Sequence, residues 1–469
     1  MPTAPSATAF KTILETIDPA SIRYPTSDLE DPIPEILNDH TRQVLDQAAA
    51  LLTAGQVVGM PTETVYGLAA NALDSVAARK IFEAKNRPQD NPLIVHVSSL
   101  RMLRSILKNN EIPAVYEHLI AQYWPGPLTL LFPRAVALIP DEITCGQPTV
   151  AVRFPAHPIA RALISHCDRP LAAPSANSSG KPSPTLAMHV MDDLTGKIPM
   201  VIDGGQCSFG IESTVVDGLR VPPAILRPGG VTYEQIQRVK NMEQVQVYKK
   251  HFTDLAMEQA PTTPGMKYRH YSPDAEVILV EYIEPTATIP GNTSTTTTTT
   301  TAATTSTGTT RATTTSDVPA QYRVILEQIE EMKRAGKMRF GILRTSITRA
   351  QGTAAQAELS SRSSLPTPPF TATTTATAAP VETSSTSTTT NVTSSAPTPS
   401  LSEPAVIEFP LGVGSQPDDV ARELFKGLRY LDTQNVECIF VEGIKDQDTG
   451  LAVMNRVRKA ASRTIFASS

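Results

Sequence analysis

Between residues ~42 and 240, short apolar segments alternate with helical runs, and several of the apolar segments stop abruptly at a polar group. "VVGM", "PLIVHV", "LTLLF", "TVAVRFP", "PLAAPSA", "MVIDGG" and "STVVDG" have the length and bounding turn residues of buried strands. Helical patterns lie between them, at about Thr41–Thr53 (stopping at Gly55), Ser75–Ala84, Ser98–Asn109, His157–Ser165 and Tyr233–Lys240. Strands this numerous with helices between them predict an α/β sheet, mixed and twisted.

The flanks read differently. Residues 1–40 hold Glu15, Asp18, Asp28, Glu30 and Asp31 against only Lys11 and Arg23, without the apolar core of a secretory signal or the basic bias of a mitochondrial one. They are expected to form a flexible leader on a cytoplasmic protein. Residues 241–275 form a linker that ends in "APTTPGMKYRHYSP", rich in aromatic and basic side chains for a spacer. From Glu276 to residue 469 a second, smaller α/β unit follows: "EVILVEY", a helix, "MRFGILR", "AVIEFPLG", a helix, "VECIFVEG" and a last helix near Leu451–Ala461. That order is doubly wound, yet no GxGxxG follows any of its strands. Two Thr/Ser-rich tracts, about 292–317 and 350–402, lack the apolar area to fold and are expected to be disordered.

The net charge of -5 over 469 residues disfavours nucleic-acid binding by bulk electrostatics. The four cysteines, Cys145, Cys167, Cys207 and Cys438, are far apart and form no CxxC pair, which argues against a cysteine zinc cluster or a disulfide framework. No apolar run approaches the ~20 residues of a membrane span.

In "KNRPQDNPLIVHV", Lys85 and Arg87 stand two apart where a helix breaks before Pro88, and Asn91 opens a strand that ends at His96. Two cations at such a junction suit polyphosphate, because Arg forks onto its oxygens and Lys adds a point charge. Elsewhere "PTETVYGL" carries Thr64, "TVAVRFP" Arg153, "APSANSSGKPSPT" Ser175, Asn177 and Ser183, "GIESTVVDG" Ser213 and "ILRPGG" Arg227. Each reads as a polar group at the C-terminal end of an apolar strand, and together they predict a lined cleft. Gly205–Gly210 has phosphate-loop spacing, but Ile211 and Glu212 follow where Lys and Ser/Thr are required. No GxSxG elbow, HExxH or spaced metal-ligand set is present. Phosphate and polar recognition without an evident nucleophile suits a reaction in which the substrates attack one another and the protein positions them.

In this order, "PTETVYGL", "KNRPQDNPLIVHV", "WPGPLT", "VAVRFP", "SANSSGKPSPT" and "IESTVVDG" resemble the YrdC-like family, in its two-domain form, the threonylcarbamoyl-AMP synthases. The resemblance is dense over Thr41–Val280 and looser beyond. It implies a YrdC-like twisted mixed-sheet domain joined by an ordered linker to a small Rossmann-like α/β domain. The implied reaction joins L-threonine, bicarbonate and ATP into threonylcarbamoyl-AMP, with Mg²⁺ accompanying ATP. A downstream tRNA threonylcarbamoyl transferase complex would consume the product.

By motif, the family's Lys-x-Arg and Ser-x-Asn correspond to Lys85, Arg87, Ser175 and Asn177 at the reaction centre. Thr64, His96, Arg153, Ser175 and Ser213 match a threonine site. Arg87, Asn91, Thr149, Ala173, Ser183 and Arg227 match an ATP site, and Tyr271 or its neighbour His270 would fold over the nucleotide. Glu63 or His96 would assist proton removal from the amine. Two other readings remain at this stage. One is an RNA-binding module of the same family, or at least a weak RNA contact. The other is a carbamoyl-transferring maturation factor, whose cysteine zinc fingers are absent here.

Overall fold

The computed structural model describes residues 10–253, 261–263, 270–283, 319–346 and 405–468. Both Thr/Ser-rich tracts, the first nine residues and residues 264–269 of the linker lie outside this set.

The first domain contributes β1 (Ile13–Thr16), β2 (Ile22–Arg23), β3 (Glu35–Ile36), β4 (Val58–Met60), β5 (Gly67–Asn71), β6 (Ile94–His96), β7 (Leu128–Pro133), β8 (Thr149–Arg153), β9 (Leu171–Ala172), β10 (Met200–Asp203), β11 (Thr214–Asp217), β12 (Ala224–Arg227) and β13 (Gln246–Val247). Eleven of these form one sheet in the order β1-β10-β4-β5-β9-β6-β8-β7-β11-β12-β13. It is mixed: β6 runs parallel to β8, while β9 and β7 run antiparallel to those neighbours. The expected leader and linker both enter it. β1 pairs in parallel with β10, and β13 with β12, so segments too polar to read as buried strands become the two edges. An edge strand needs only one partner ladder and tolerates exposed side chains, which is why neither shows a strong apolar signal.

Helix Asp39–Thr53 begins at Asn38, whose side chain accepts the Thr41 N–H, and buries Val44, Leu45, Ala48 and Leu52 as a stripe against the sheet and helix Pro158–Cys167. Helix Ser75–Lys85 starts on the Asp74 side chain and ends at Asn86, which takes a left-handed φ of 51°. That turn reverses the chain sharply enough to set Lys85 and Arg87 in different directions.

The second domain is a five-stranded parallel sheet, β14 (Glu276–Ile283), β15 (Arg339–Arg344), β16 (Ala405–Pro410), β17 (Cys438–Glu442) and β18 (Arg463–Ser468), in the order β16-β15-β17-β14-β18. Its strands are apolar on both faces. Ile278, Val280, Phe340, Ile342 and Phe440 pack with Ile325 and Ile329 of helix Ala320–Arg334. Their alternates Val277, Leu279, Leu343, Ile439 and Val441 pack with Val420, Leu424, Phe425 and Leu428 of helix Pro417–Thr433 and with Val453 and Val457 of helix Thr449–Ala460. A period of two with both phases filled is what a doubly covered parallel sheet requires.

The second core does not stop at its own domain, since Val65 and Ile211 of the first domain and Tyr271 of the linker belong to it. Gly210 permits this approach: at φ 75°, a Cβ there would meet the Arg422 backbone at 2.4 Å. Among the described residues no helix is long and apolar enough to cross a membrane.

Candidate active site

The backbones of two loops are laced together at the centre of the first domain. Tyr66 N–H donates to Pro184 O at 2.8 Å, Ala176 N–H to Tyr66 O at 2.8 Å and Leu68 N–H to Pro174 O at 2.8 Å. Above them lies a cavity of about 250 Å³. Ile94 and His96, two apart on β6 and therefore on one face of it, both line the cavity. The site therefore lies against the sheet's face and does not lie only beyond the strand ends as expected. Ser213 likewise precedes β11 and does not end a strand.

Part of the cavity wall is organised around Arg153. Its Nη1 donates to Thr64 Oγ1 at 2.8 Å and its Nε to Gly126 O at 3.2 Å, and Nη2 pairs with Glu63 Oε1 at 2.6 Å, both side chains being almost fully buried. Glu63 also accepts the Ala156 and His157 N–H groups at 3.0 and 3.4 Å. Burial pushes the Glu63 pKa up, but the Arg153 charge and these donors outweigh it, and the net shift is downward. His96 Nδ1 donates to Ile94 O at 3.1 Å. Burial first, and then the neighbouring Arg153, hold its pKa near 3, so the ring is neutral. Ser213 Oγ shares a 2.8 Å hydrogen bond with Thr129 Oγ1.

The cavity is also lined by Arg87, Asn91, Ala173, Arg227, His270 and Tyr271. Arg87 Nη2 donates to Asn91 O at 2.7 Å, and burial lowers its pKa to about 10. The Asn91 Oδ1 atom is buried with no partner among the described residues, an acceptor waiting for an N–H donor. Arg227 Nη2 donates to Ser213 O and Oγ at 3.0 and 3.2 Å. Its position depends on Gly229, where a Cβ would stand 2.3 Å from Glu212 O. Tyr271, at φ 67°, is buried with its ring 5.2 Å from that of Phe425 in the second domain, and Ser272 N–H donates to Gly180 O at 2.8 Å.

Four of the expected site residues do not line the cavity. Lys85 is buried beneath it, its Nζ donating to the carbonyls of Ser175 and Asn177 and, at 3.4 Å, to Asn177 Oδ1. Burial and then Arg87 drive its pKa well below the usual ammonium value. The lysine thus supports the Ser175–Asn177 loop. Asn177 itself is spent on Ser178 O and Lys181 O, at 2.8 and 2.9 Å. Ser183 Oγ donates to Glu212 Oε1 at 2.6 Å. Thr149 shares the β8 face with Ala151 and Arg153 but sits at the opposite end of the strand. The remaining expected residues, Thr64, Arg87, Asn91, His96, Arg153, Ala173, Ser175, Ser213, Arg227 and Tyr271, surround one space.

Glu212, whose place in the sequence is only that of a residue that spoils a phosphate loop, lines the cavity, and Arg456 of the second domain pairs with it at 3.0 Å. The signal for Arg456 was present in the sequence: it falls three and four residues from Val453, Ala452 and Ala460, on the apolar face of its helix. A second bridge joins Arg429 to Asp193 Oδ2 at 2.8 Å and to Pro182 O at 2.6 Å.

Known proteins resemble this chain in sequence and fold. The Sua5/YciO/YrdC family model, described as telomere recombination, matches residues 50–229. A model described as the C-terminal domain of threonylcarbamoyl-AMP synthase matches residues 231–462. A threonylcarbamoyl-AMP synthase from Schizosaccharomyces pombe is 37% identical over 482 residues, covering 97% of this chain and 98% of that protein. One from Pyrococcus abyssi is 38% identical over 421 residues, covering 89% and 94%. The solved structure of P. abyssi Sua5 complexed with L-threonine superposes with a TM-score of 0.68 at 35% identity, covering 97% of this chain and 100% of that one.

Proposed function

The chain belongs to the Sua5/YciO/YrdC family in its two-domain form, and from that premise we propose that it is an L-threonylcarbamoyladenylate synthase acting in tRNA modification. The observation that carries this reading is that one cavity is lined by both sets of groups. Arg153, Thr64, His96 and Ser213 would suit an amino acid, and Arg87, Arg227 and the open Asn91 acceptor would suit a nucleotide.

The threonine amine, as the free base, adds to the carbon of bicarbonate with loss of water and gives a carbamate. A carbamate oxygen then attacks the α-phosphorus of ATP. The new O–P bond forms as the bond to the β-phosphate oxygen breaks, and pyrophosphate leaves. AMP is thereby transferred to the carbamate, so the reaction is a nucleotidyl transfer. Arg153 takes the threonine carboxylate, and Arg87 and Arg227 offset charge on the triphosphate. Of the two groups considered for the amine, Glu63 is committed to Arg153 and to two N–H donors, and His96 is held neutral. Neither is a strong base, and His96 is better suited to orienting the amine than to storing its proton. Mg²⁺ would be carried on the phosphates, whose oxygens and waters are its usual ligands. This fits a cleft whose described residues contain no cluster of three or more acidic, histidine or cysteine donors.

At about 250 Å³ the cavity is below the roughly 300–1,000 Å³ of a typical drug-sized ligand pocket. It suits an amino acid as it stands, and a nucleotide enters only if the His270–Ser272 strap lifts. Closure of that strap over bound ATP would keep water from a labile adenylate. The product would pass to a downstream tRNA threonylcarbamoyl transferase complex.

The test is pyrophosphate release by the full chain with ATP and bicarbonate, with and without L-threonine, serine serving as the control. Release that requires both threonine and bicarbonate is expected. Threonine-independent hydrolysis, or none, would overturn the reading.

A further inference from the structure

Arg456 is the bulkiest of the fully buried side chains, and it projects from the second domain into the wall of the first domain's cavity. Its Nε donates to Glu212 Oε2 at 3.0 Å and its Nη1 to Pro228 O, while its guanidinium lies 5.8 Å from the Tyr271 ring. These contacts bracket Arg227. Glu212 immediately precedes Ser213, Pro228 immediately follows Arg227, and Arg227 is fastened to Ser213. One side chain, 244 positions from Glu212, therefore grips both segments that hold Arg227.

Glu212 is a buried carboxylate within the influence of two guanidiniums, Arg456 and Arg227. A carboxylate in that position draws in whatever cation is available, because an uncompensated buried charge is expensive. With Arg456 in place, Glu212 is neutralised from the side away from the ligand. Without it, Arg227 and Lys459 are the cations left within reach of Glu212, and Arg227 would turn from the cavity toward it.

We propose that Arg456 is a positioning residue for ATP: it supplies Glu212's counter-charge from the second domain and so keeps Arg227 directed at the nucleotide. The proposal rests on the synthase reading given above. It assigns the second domain a part in the nucleotide site, beyond packing against it.

The experiment uses the full chain and three variants: Arg456→Met, Arg456→Lys and the double variant Arg456→Met/Glu212→Gln. KM for ATP and for L-threonine are measured separately, with thermal midpoints alongside. Arg456→Met is expected to raise KM for ATP about tenfold or more while KM for threonine stays within about twofold. Arg456→Lys should recover part of the loss, since it restores a cation. The double variant removes the Glu212 charge together with its partner but takes from Arg227 its own carboxylate, so Arg456→Lys, which keeps every charge, carries the test where either Met variant does not fold. The double variant should lower KM for ATP below that of Arg456→Met, because a neutral amide no longer draws Arg227 away.

Equal loss toward both substrates, no loss in Arg456→Met, or a double variant as impaired as the single one would each overturn the proposal. If the wild-type chain shows no threonine-dependent turnover, it is the synthase reading that fails. Calorimetric ATP affinities of the same proteins then test Arg456 independently, and equal affinity in wild type and Arg456→Met, or no ATP binding, would end the proposal.

Discussion

Glu63 and Glu212 are both buried carboxylates beside one cavity, and each is neutralised by an arginine, but the arginines have different origins. Arg153 lies on β8 of the same domain as Glu63, and the Thr64, Ala156 and His157 contacts that complete the cluster are also local to that domain. Glu212 instead depends on Arg456, from a helix beyond the linker and beyond both Thr/Ser-rich tracts. The cluster around Glu63 is thus assembled within the first domain, whereas Glu212 gains its Arg456 partner only when the two domains dock. The Arg429–Asp193 bridge repeats the lesson, since Asp193 Oδ2 also accepts the Ser178 N–H of the loop beside the cavity, at 2.9 Å.

The most severe break in this comparison is Arg153→Met. It strands Glu63 in the interior, which costs about 3–5 kcal/mol of stability. It also removes the partner proposed for the threonine carboxylate, so kcat/KM for threonine should fall more than about 100-fold with a much smaller change in KM for ATP. Chemical denaturation and steady-state kinetics read the two effects. If both substrates suffered equally, the two sets of lining groups would not be separable.

Arg429→Met should have an intermediate effect. Asp193 keeps its Ser178 donor, so the loss is about 2–3 kcal/mol, concentrated at the domain interface. Faster cleavage of the linker in limited proteolysis should accompany a few-fold rise in KM for ATP, with KM for threonine little changed. A cleavage rate equal to wild type would show that this bridge does not hold the domains together.

The smallest expected effect is one of pH. Burial holds His96 near 3, below the ordinary value of 6.5, so the unfolded chain binds the proton more readily than the folded one. Its contribution to stability is therefore complete above about pH 6.5 and is lost as pH falls toward 3. His157, near 4, adds to the same slope, as do His189 and His270, both near 3. Between about pH 7 and pH 5, His96→Asn should lose less stability than wild type by roughly 1–2 kcal/mol, as read from denaturation midpoints. Parallel slopes in the two proteins would mean that His96 is not the buried neutral ring described here.

Much of the architecture was readable along the chain, because the forces that set it act over a few residues. The α/β alternation, the Asn86 turn between Lys85 and Arg87, and the two-phase apolar pattern of β14 and β17 all follow from spacing and side-chain type. Pattern alone does not give a side chain's depth in the fold. Lys85 sits at a helix end, where a cation is ordinarily solvated, and only the loop Ser175–Asn177 folded over it turns it into a buried support. β1 and β13 carry polar side chains acceptable at a sheet edge, and became strands because β10 and β12 left unpaired ladders for them. Thr149 shares the β8 face of Arg153 but stands at the other end of the strand, a distinction that periodicity does not make.

Local chemistry thus accounts for the elements, their caps, and the motif loops that carry most of the polar groups lining the cavity. Charge pairing was settled by the fold. Glu212 and Arg456 are 244 positions apart, and nothing in either neighbourhood selects the other. Their pairing follows from the docking of two cores across Val65, Ile211 and Tyr271, which removes both ions from water and leaves each as the other's compensation.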